Sequence, residues 1–201
     1  MAATLFFSPN SPYARKCRVI VLEKNLQGIA QVALSPSDNP PELVAVNPLG
    51  TVPAMVTAEG LHLCDSTVIC EYLDNLPSSA PKLLTDDAGA RLCIMALAVL
   101  GDGIMDAAVT CVMEGRRPPE KQWSATMERK RSAVARAIDK VAGANLDFSR
   151  PLTLGTLNLA VALAYVDFRL PDLGWRTKHA ALASGVDEIA KRPSFVATTP
   201  N

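Results

Sequence analysis

The sequence has no surplus of either charge: Lys and Arg number 20 and Asp and Glu number 20 over 201 residues. That balance excludes a general nucleic-acid or anionic-membrane binder, since both need a positive field. Histidine is scarce, with only two, His62 and His179, far apart in the chain. A zinc site or a His-dependent triad is therefore not expected, and no metal is assigned. The five cysteines, Cys17, Cys64, Cys70, Cys93 and Cys111, are odd in number and include no CxxC pair. Such usage argues against a disulfide framework and for a reducing, cytoplasmic compartment, with each thiol expected as a small buried hydrophobe. Aromatics make up only 5% of residues and apolar residues 49%. The apolar excess is Ala, Leu and Val, which points to a helix-heavy protein. No run approaches the roughly 20 apolar residues of a membrane span. The stretch 1–7 lacks the basic flank and small-residue cleavage site of a signal peptide. Internal repeats and low-complexity tracts are also missing.

What is there begins with an alternation of short elements. Thr4-Leu5-Phe6-Phe7 reads as a buried strand halted by Ser8-Pro9-Asn10. Ser11 then suits an N-cap and Pro12 the first helical position, with a helix ending near Asn25 that carries Val19, Leu22 and the basic residues Arg15, Lys16 and Arg18. Ile29 to Leu34 reads as a second strand, Glu42 to Val46 as one helical turn, and Ala54–Thr57 with Leu61–Leu63 as a hairpin about Glu59-Gly60. Asp65 or Ser66 caps a helix running to Leu76. This α/β layer breaks at Pro77-Ser78-Ser79-Ala80-Pro81, and a domain boundary falls in Pro77 to Ala88. Beyond it only helices are expected. A long apolar one spans Arg91 to Met113, with a kink at Gly101 and Gly103. Another is marked by Met127, Val134, Ile138 and Val141, with Arg129, Lys130, Arg131 and Arg136 on its solvated face. A third, Leu157 to Val166, is apolar on all sides and capped by Thr153.

Three stretches carry chemistry. In Thr51-Val52-Pro53-Ala54 a cis Pro53 would turn the Val52 N–H and C=O outward to pair with an extended peptide. An ordinary trans turn proline also fits the local sequence. At Asp65-Ser66 the unpaired N–H groups of a helix N-terminus can take a carboxylate while Asp65 receives an ammonium, although simple capping accounts for the pair as well. Ser11 is the reactive candidate. A thiol with a reference pKa of about 8.5 is mostly protonated at neutral pH. A hydroxyl donating to sulfur stabilises the anion by roughly 1.5–3 kcal/mol, about one to two pKa units. Capping the helix and donating to sulfur are expected to compete for this one hydroxyl. Taken together, the three stretches describe a pocket for a small zwitterionic peptide whose thiol is held as a thiolate.

The segments Ser11-Pro12-Tyr13-Ala14-Arg15-Lys16, Asn47-Pro48-Leu49-Gly50-Thr51-Val52-Pro53 and Asp65-Ser66 resemble the glutathione-domain signatures of the soluble glutathione transferases. Asp102-Gly103-Ile104-Met105-Asp106-Ala107 and Ala164-Tyr165-Val166-Asp167-Phe168-Arg169 are similar to the bacterial, serine-type branches of that family. The resemblance covers nearly the whole chain. It implies an α/β thioredoxin-like N-terminal domain, 1–80, plus an all-α C-terminal helical domain, 88–201, in a homodimer. By the same resemblance Ser11 stabilises the thiolate of the co-substrate glutathione, with Ser8 as the fallback. Val52 and Pro53 meet the cysteinyl unit, Asp65 and Ser66 the γ-glutamyl end, and Asp102 the amine of the partner subunit's glutathione. A hydrophobic electrophile would lie in a cleft walled by Met105, Asp106 and Thr110. Two departures stand out. Thr51 occupies a position where many relatives carry Lys, Gln or Arg, and Thr156 replaces the acid usual in the cap of the buried helix. Conjugation of an electrophile for detoxification is the activity implied. The alternatives are a non-catalytic binding or regulatory protein of the same fold and a glutathione-dependent dehalogenase or ether-cleaving enzyme.

Overall fold

Alternating apolar residues in the first strand place Leu5 and Phe7 on one face of a sheet and Phe6 on the other. In a computed structural model of the protein, which describes residues 2–200, all three are buried. Strand β1 (Ala3–Phe7) pairs in parallel with β2 (Ile29–Ala33) and antiparallel with β3 (Ala54–Val56), which pairs antiparallel with β4 (His62–Cys64), giving the order β2-β1-β3-β4. Helix α1 (Pro12–Glu23) makes the parallel crossover, α2 (Pro41–Val46) follows β2, and α3 (Ser66–Asn75) follows β4. Phe6, Leu43 of α2 and Ala54 form one buried cluster, with Val52 packed against it. Leu5 and Met55, paired in register, are fully buried, and α1 and α3 pack together.

The chain divides into two compact units, one reaching to Thr85 and resuming at Pro193, the other Asp86–Arg192. The expected all-helical domain of 88–201 therefore loses its last residues to the first unit. The reason is a set of polar anchors on α1. Arg15 Nη2 donates to the Phe195 carbonyl at 3.2 Å, Arg15 Nε to Thr198 Oγ1 at 3.4 Å, and the Ser194 hydroxyl to Glu23. Arg15 and Lys16, expected merely as basic residues of the helix, are buried, whereas Leu22 is exposed. Among the cysteines Cys17, Cys70 and Cys111 are buried, but Cys64 and Cys93 are exposed, contrary to expectation.

The second unit is helical: α4 (Ala88–Gly115), α5 (Ser124–Gly143), α6 (Leu154–Arg169), α7 (Trp175–Lys178) and α8 (Ala180–Ala190), with α9 (Pro193–Val196) counted in the first unit. Helix α4 runs unbroken through both glycines. A Cβ on Gly101 would sit 3.3 Å from Asn158 of α6, so this glycine permits close helix packing and is not a hinge. An 18-residue stretch of α4 reaches a mean hydropathy of 1.9 and is long and apolar enough to cross a membrane, which corrects the expectation that no segment approaches a span. Here it packs against α5 and α6, burying Ala98, Ile104, Met105, Ala107 and Ala108. Helix α6 is buried along nearly its whole length. Its cap is complete without an acid: Thr156 N–H donates to Thr153 Oγ1 at 3.2 Å and Thr153 N–H to Thr156 Oγ1 at 3.0 Å.

Candidate functional site

Strand register brings the three chemistry-bearing stretches to one end of the sheet. Ala54 pairs with Phe6 on one side and with Cys64 on the other. The residue before Ala54 is Pro53, the segment after β1 leads to Ser8 and Ser11, and the segment after Cys64 is Asp65-Ser66. No single local motif dictates this convergence; it follows from two antiparallel pairings sharing one strand.

The bond between Val52 and Pro53 is cis. The Val52 side chain packs toward Phe6 and Leu43, while its N–H and C=O have no hydrogen-bond partner among the described residues. The loop that holds it is organised by Asn47, which is 1% exposed. Asn47 Nδ2 donates to the Thr51 carbonyl and hydroxyl, each at 2.9 Å, and its Oδ1 accepts from the Leu49 N–H at 3.1 Å. Thr51 is thus a brace of the loop, which accounts for a short hydroxyl side chain there. Gly50 closes the turn at φ +62°, a conformation open to glycine at little cost.

Asp65 caps α3 from a positive φ of 67°. Non-glycine residues rarely occupy that region, and when they do it is often at a ligand site. Its carboxylate accepts from Thr67 N–H at 2.7 Å. Ser66, buried, begins the helix, where backbone N–H groups have no partner within the helix. Beneath it the Cys17 thiol donates to the Ser66 carbonyl at 3.8 Å and lies 3.7 Å from the Cys70 sulfur. Burial, then the hydrogen bond with Cys70, pushes the Cys17 thiol well above the usual thiol range, so it is neutral at physiological pH.

Ser11 is the N-cap of α1, its oxygen accepting from Ala14 N–H at 3.2 Å. Capping uses a lone pair and leaves the hydroxyl proton free, so the expected competition between capping and donation does not arise. Ser8 supplies its carbonyl to the Ser11 N–H at 3.0 Å. One turn along α1, Arg15 has only neutral partners among the described residues, the Phe195 carbonyl and Thr198 hydroxyl, plus the face of the Phe195 ring at 5.7 Å. Burial first, and Arg18 second, push its pKa down to about 10. Nothing in a run of basic residues on a helix distinguishes the buried one, so this feature was not legible in the sequence. Asn10, which precedes Ser11, also escaped sequence reasoning, and its Oδ1 is buried with no partner among the described residues.

On the helical unit, Asp102 Oδ1 accepts from Asn158 Nδ2 at 3.1 Å, and the same nitrogen donates to the Ala98 carbonyl at 2.7 Å. Met105 is completely buried, which makes it core and not the wall of an open cleft. Asp106 is exposed, and the Thr110 hydroxyl donates back to the Asp106 carbonyl at 2.7 Å.

Residues 10–76 match the family model for the glutathione S-transferase N-terminal domain. The chain is 33% identical over 198 residues to the uncharacterized GST-like protein YibF of Escherichia coli K12, covering 96% of each. It is also similar to a glutathione transferase family member from Pseudomonas fluorescens Pf-5 solved with bound glutathione, at 39% identity and a TM-score of 0.93 over 99% of each chain. A second structure from that organism, with bound S-(propanoic acid)-glutathione, is 37% identical with a TM-score of 0.88, covering 99% of this chain and 97% of that one. A thioredoxin-like sheet carrying these motifs, a helical second unit and near-complete coverage of these relatives place the chain in the glutathione S-transferase family.

Proposed function

We propose that the chain binds glutathione at the end of its sheet and ionises the thiol with Ser11. The Val52 backbone pairs with the cysteinyl unit as an added strand beside cis Pro53. Ser66 N–H and hydroxyl take the γ-glutamyl carboxylate at the start of α3, and Asp65 takes the ammonium. Ser11 donates to the sulfur and Ser8 lines the same end of the sheet. The thiolate then adds to an electrophilic small molecule. The observation that carries this reading is the Ser11 hydroxyl, capping through its oxygen with its proton still available. Catalysis rests on thiolate stabilisation and positioning. Because one Pseudomonas neighbour holds S-(propanoic acid)-glutathione, an electrophile bearing an acid is the form we favour.

We also infer a homodimer. Leu92, Ala96 and Val99 of α4 lie at helical spacing on an exposed face, Leu92 at 72% and Val99 at 59% exposure. A second copy would cover that apolar stripe. Asp102, fixed by Asn158, is then the acid assigned to the amine of the glutathione held by the partner.

Retention on immobilised glutathione followed by conjugation of a chloronitrobenzene tests the reading. Ser11→Ala should retain binding but raise the pKa of the bound thiol by about one to two pH units, read from thiolate ultraviolet absorption. Retention with no turnover by the parent would instead mark a binding protein of the same fold. An unchanged thiol pKa in the variant would remove Ser11 from the mechanism.

A further inference from the structure

Two thiols from different helices meet beneath the candidate site, and the proposed reaction uses neither. Cys17 lies on α1 and Cys70 on α3, both completely buried, with their sulfurs 3.7 Å apart. Buried cysteines commonly pack as small hydrophobes, a role that asks only for an apolar neighbour. Here each sulfur has the other as its neighbour, across the joint where α1 and α3 pack together. The Cys17 thiol also donates to the carbonyl of Ser66, the first residue of α3, at 3.8 Å. Ser66 is buried, but Asp65 before it and Val68 after it are exposed. On that side a single buried residue separates the pair from exposed chain.

A disulfide needs its sulfurs at about 2.05 Å, so closure from 3.7 Å asks for an approach of about 1.7 Å. Cys17 cannot make that approach and keep its bond to Ser66 unchanged. A change of oxidation state at the pair is therefore felt at the start of α3.

We propose that Cys17 and Cys70 form an oxidative modification site, which a hydroperoxide converts into a disulfide linking α1 to α3. The Cys17 sulfur attacks a peroxide oxygen, the O–O bond breaks, and the thiol proton goes to the departing alkoxide, giving a sulfenic acid and an alcohol. The Cys70 sulfur then attacks the Cys17 sulfur, the S–O bond breaks, and the second thiol proton leaves with hydroxide as water. Two electrons pass from the thiol pair to the hydroperoxide. Burial keeps the Cys17 thiol neutral and only the thiolate attacks, so the pair reacts more slowly than the exposed Cys64 and Cys93. It answers sustained oxidant, not a brief pulse. The functional consequence rests on the glutathione reading above: once Cys17 is drawn to Cys70, the Ser66 end of α3 holds the γ-glutamyl carboxylate less well.

Exposure of the intact protein to hydrogen peroxide, then unfolding in an alkylating agent and peptide mapping without reductant, tests the site. Full oxidation of Cys64 and Cys93 marks a sufficient dose. The expected product is a peptide joining Cys17 to Cys70 that dithiothreitol separates, and this measurement needs no variant to fold. In Cys70→Ala the link should vanish and Cys17 should be trapped as a sulfenic acid by dimedone. The proposal is overturned if Cys17 and Cys70 are both still alkylated at that dose, or if either is joined to Cys64, Cys93 or Cys111 instead. In the Cys64→Ser, Cys93→Ser protein, the oxidised form should bind glutathione about ten-fold more weakly than the reduced form, the factor of one charge-assisted hydrogen bond. Equal binding by the two forms would overturn the link to Ser66. Failure of the reduced protein to bind would count against the glutathione reading, while the Cys17–Cys70 peptide still decides the modification.

Discussion

In the proposed mechanism Ser11 combines two tasks in one hydroxyl, because a cap consumes an oxygen lone pair and a thiolate asks for a proton. The tasks can be pulled apart by chemistry. Ser11→Asp keeps a good N-cap but places a negative charge where the sulfur should be negative. Its melting temperature should stay within a few degrees of the parent, while the bound thiol is driven above neutral pH. Ser11→Ala should lose both, the cap at about 1 kcal/mol. A thiol that ionises normally in the aspartate variant would show that the residue acts only as a cap.

Cys17 makes a prediction of opposite kind, about stability and pH. Its pKa is raised in the folded chain, chiefly by burial and then by Cys70. In the unfolded chain the thiol ionises near pH 8.5. The neutral form is therefore stabilising in full below that pH. The contribution is lost as pH rises from there toward the folded-state pKa, because only the unfolded chain then releases the proton. Urea unfolding between pH 7 and 10 should show stability falling above about pH 8.5, and Cys17→Ala should make the fall shallower. Identical slopes for the two proteins would refute this.

Among elements, the join between α1 and α3 depends on a buried ion pair. Lys24 Nζ lies 3.0 Å from Asp74 Oδ1, with side chains 3% and 1% exposed. Asp74 also accepts the N–H groups of Leu83 and Leu84, each at 2.9 Å, so it ties the following loop to the end of α3. Removing the acid strands a buried ammonium and two amides, and Asp74→Ala should cost about 3–5 kcal/mol. Lys24→Met leaves Asp74 its two amide donors and should cost less. Chemical denaturation of both variants checks the order, and a reversal would mean that the lysine, not the acid, organises the join.

The elements themselves were readable to within a few residues where local chemistry is strong. Ser11-Pro12, the break at Ser8-Pro9-Asn10 and Thr153 with Thr156 all sit at real helix ends or strand ends. Gly101 was misread, since a glycine inside a helix signals either a kink or a close neighbour, and the neighbour, Asn158, lies far away in sequence. Asn47 was read as part of a signature without a role. Its part in holding Thr51 and Leu49 depends on a side chain turned back into its own loop.

For the whole molecule, the exposed stripe on α4 is the feature that a single chain leaves unsatisfied. Leu92→Glu with Val99→Glu should convert a dimer into monomers, measured by light scattering after size-exclusion chromatography. A parent that is already monomeric would sink the assignment. The same helix shows why hydropathy alone could not describe this protein. Its apolar content meets the test for a membrane span, yet much of it faces α5 and α6.

Sequence by itself determined the order of elements from β1 to α6, several of the caps and breaks that bound them, and the residue types proposed to hold a thiolate and a zwitterion. These are properties of short segments, set by backbone sterics and hydrogen bonds between near neighbours. Only the tertiary structure decided that Val52, Asp65 and Ser11 share one end of a sheet, that Pro193 onward folds back onto α1, and that Arg15, Met105 and Lys16 are interior. Each of those depends on which distant surfaces exclude water together, and contacts between positions so far apart in the chain leave no local pattern to read.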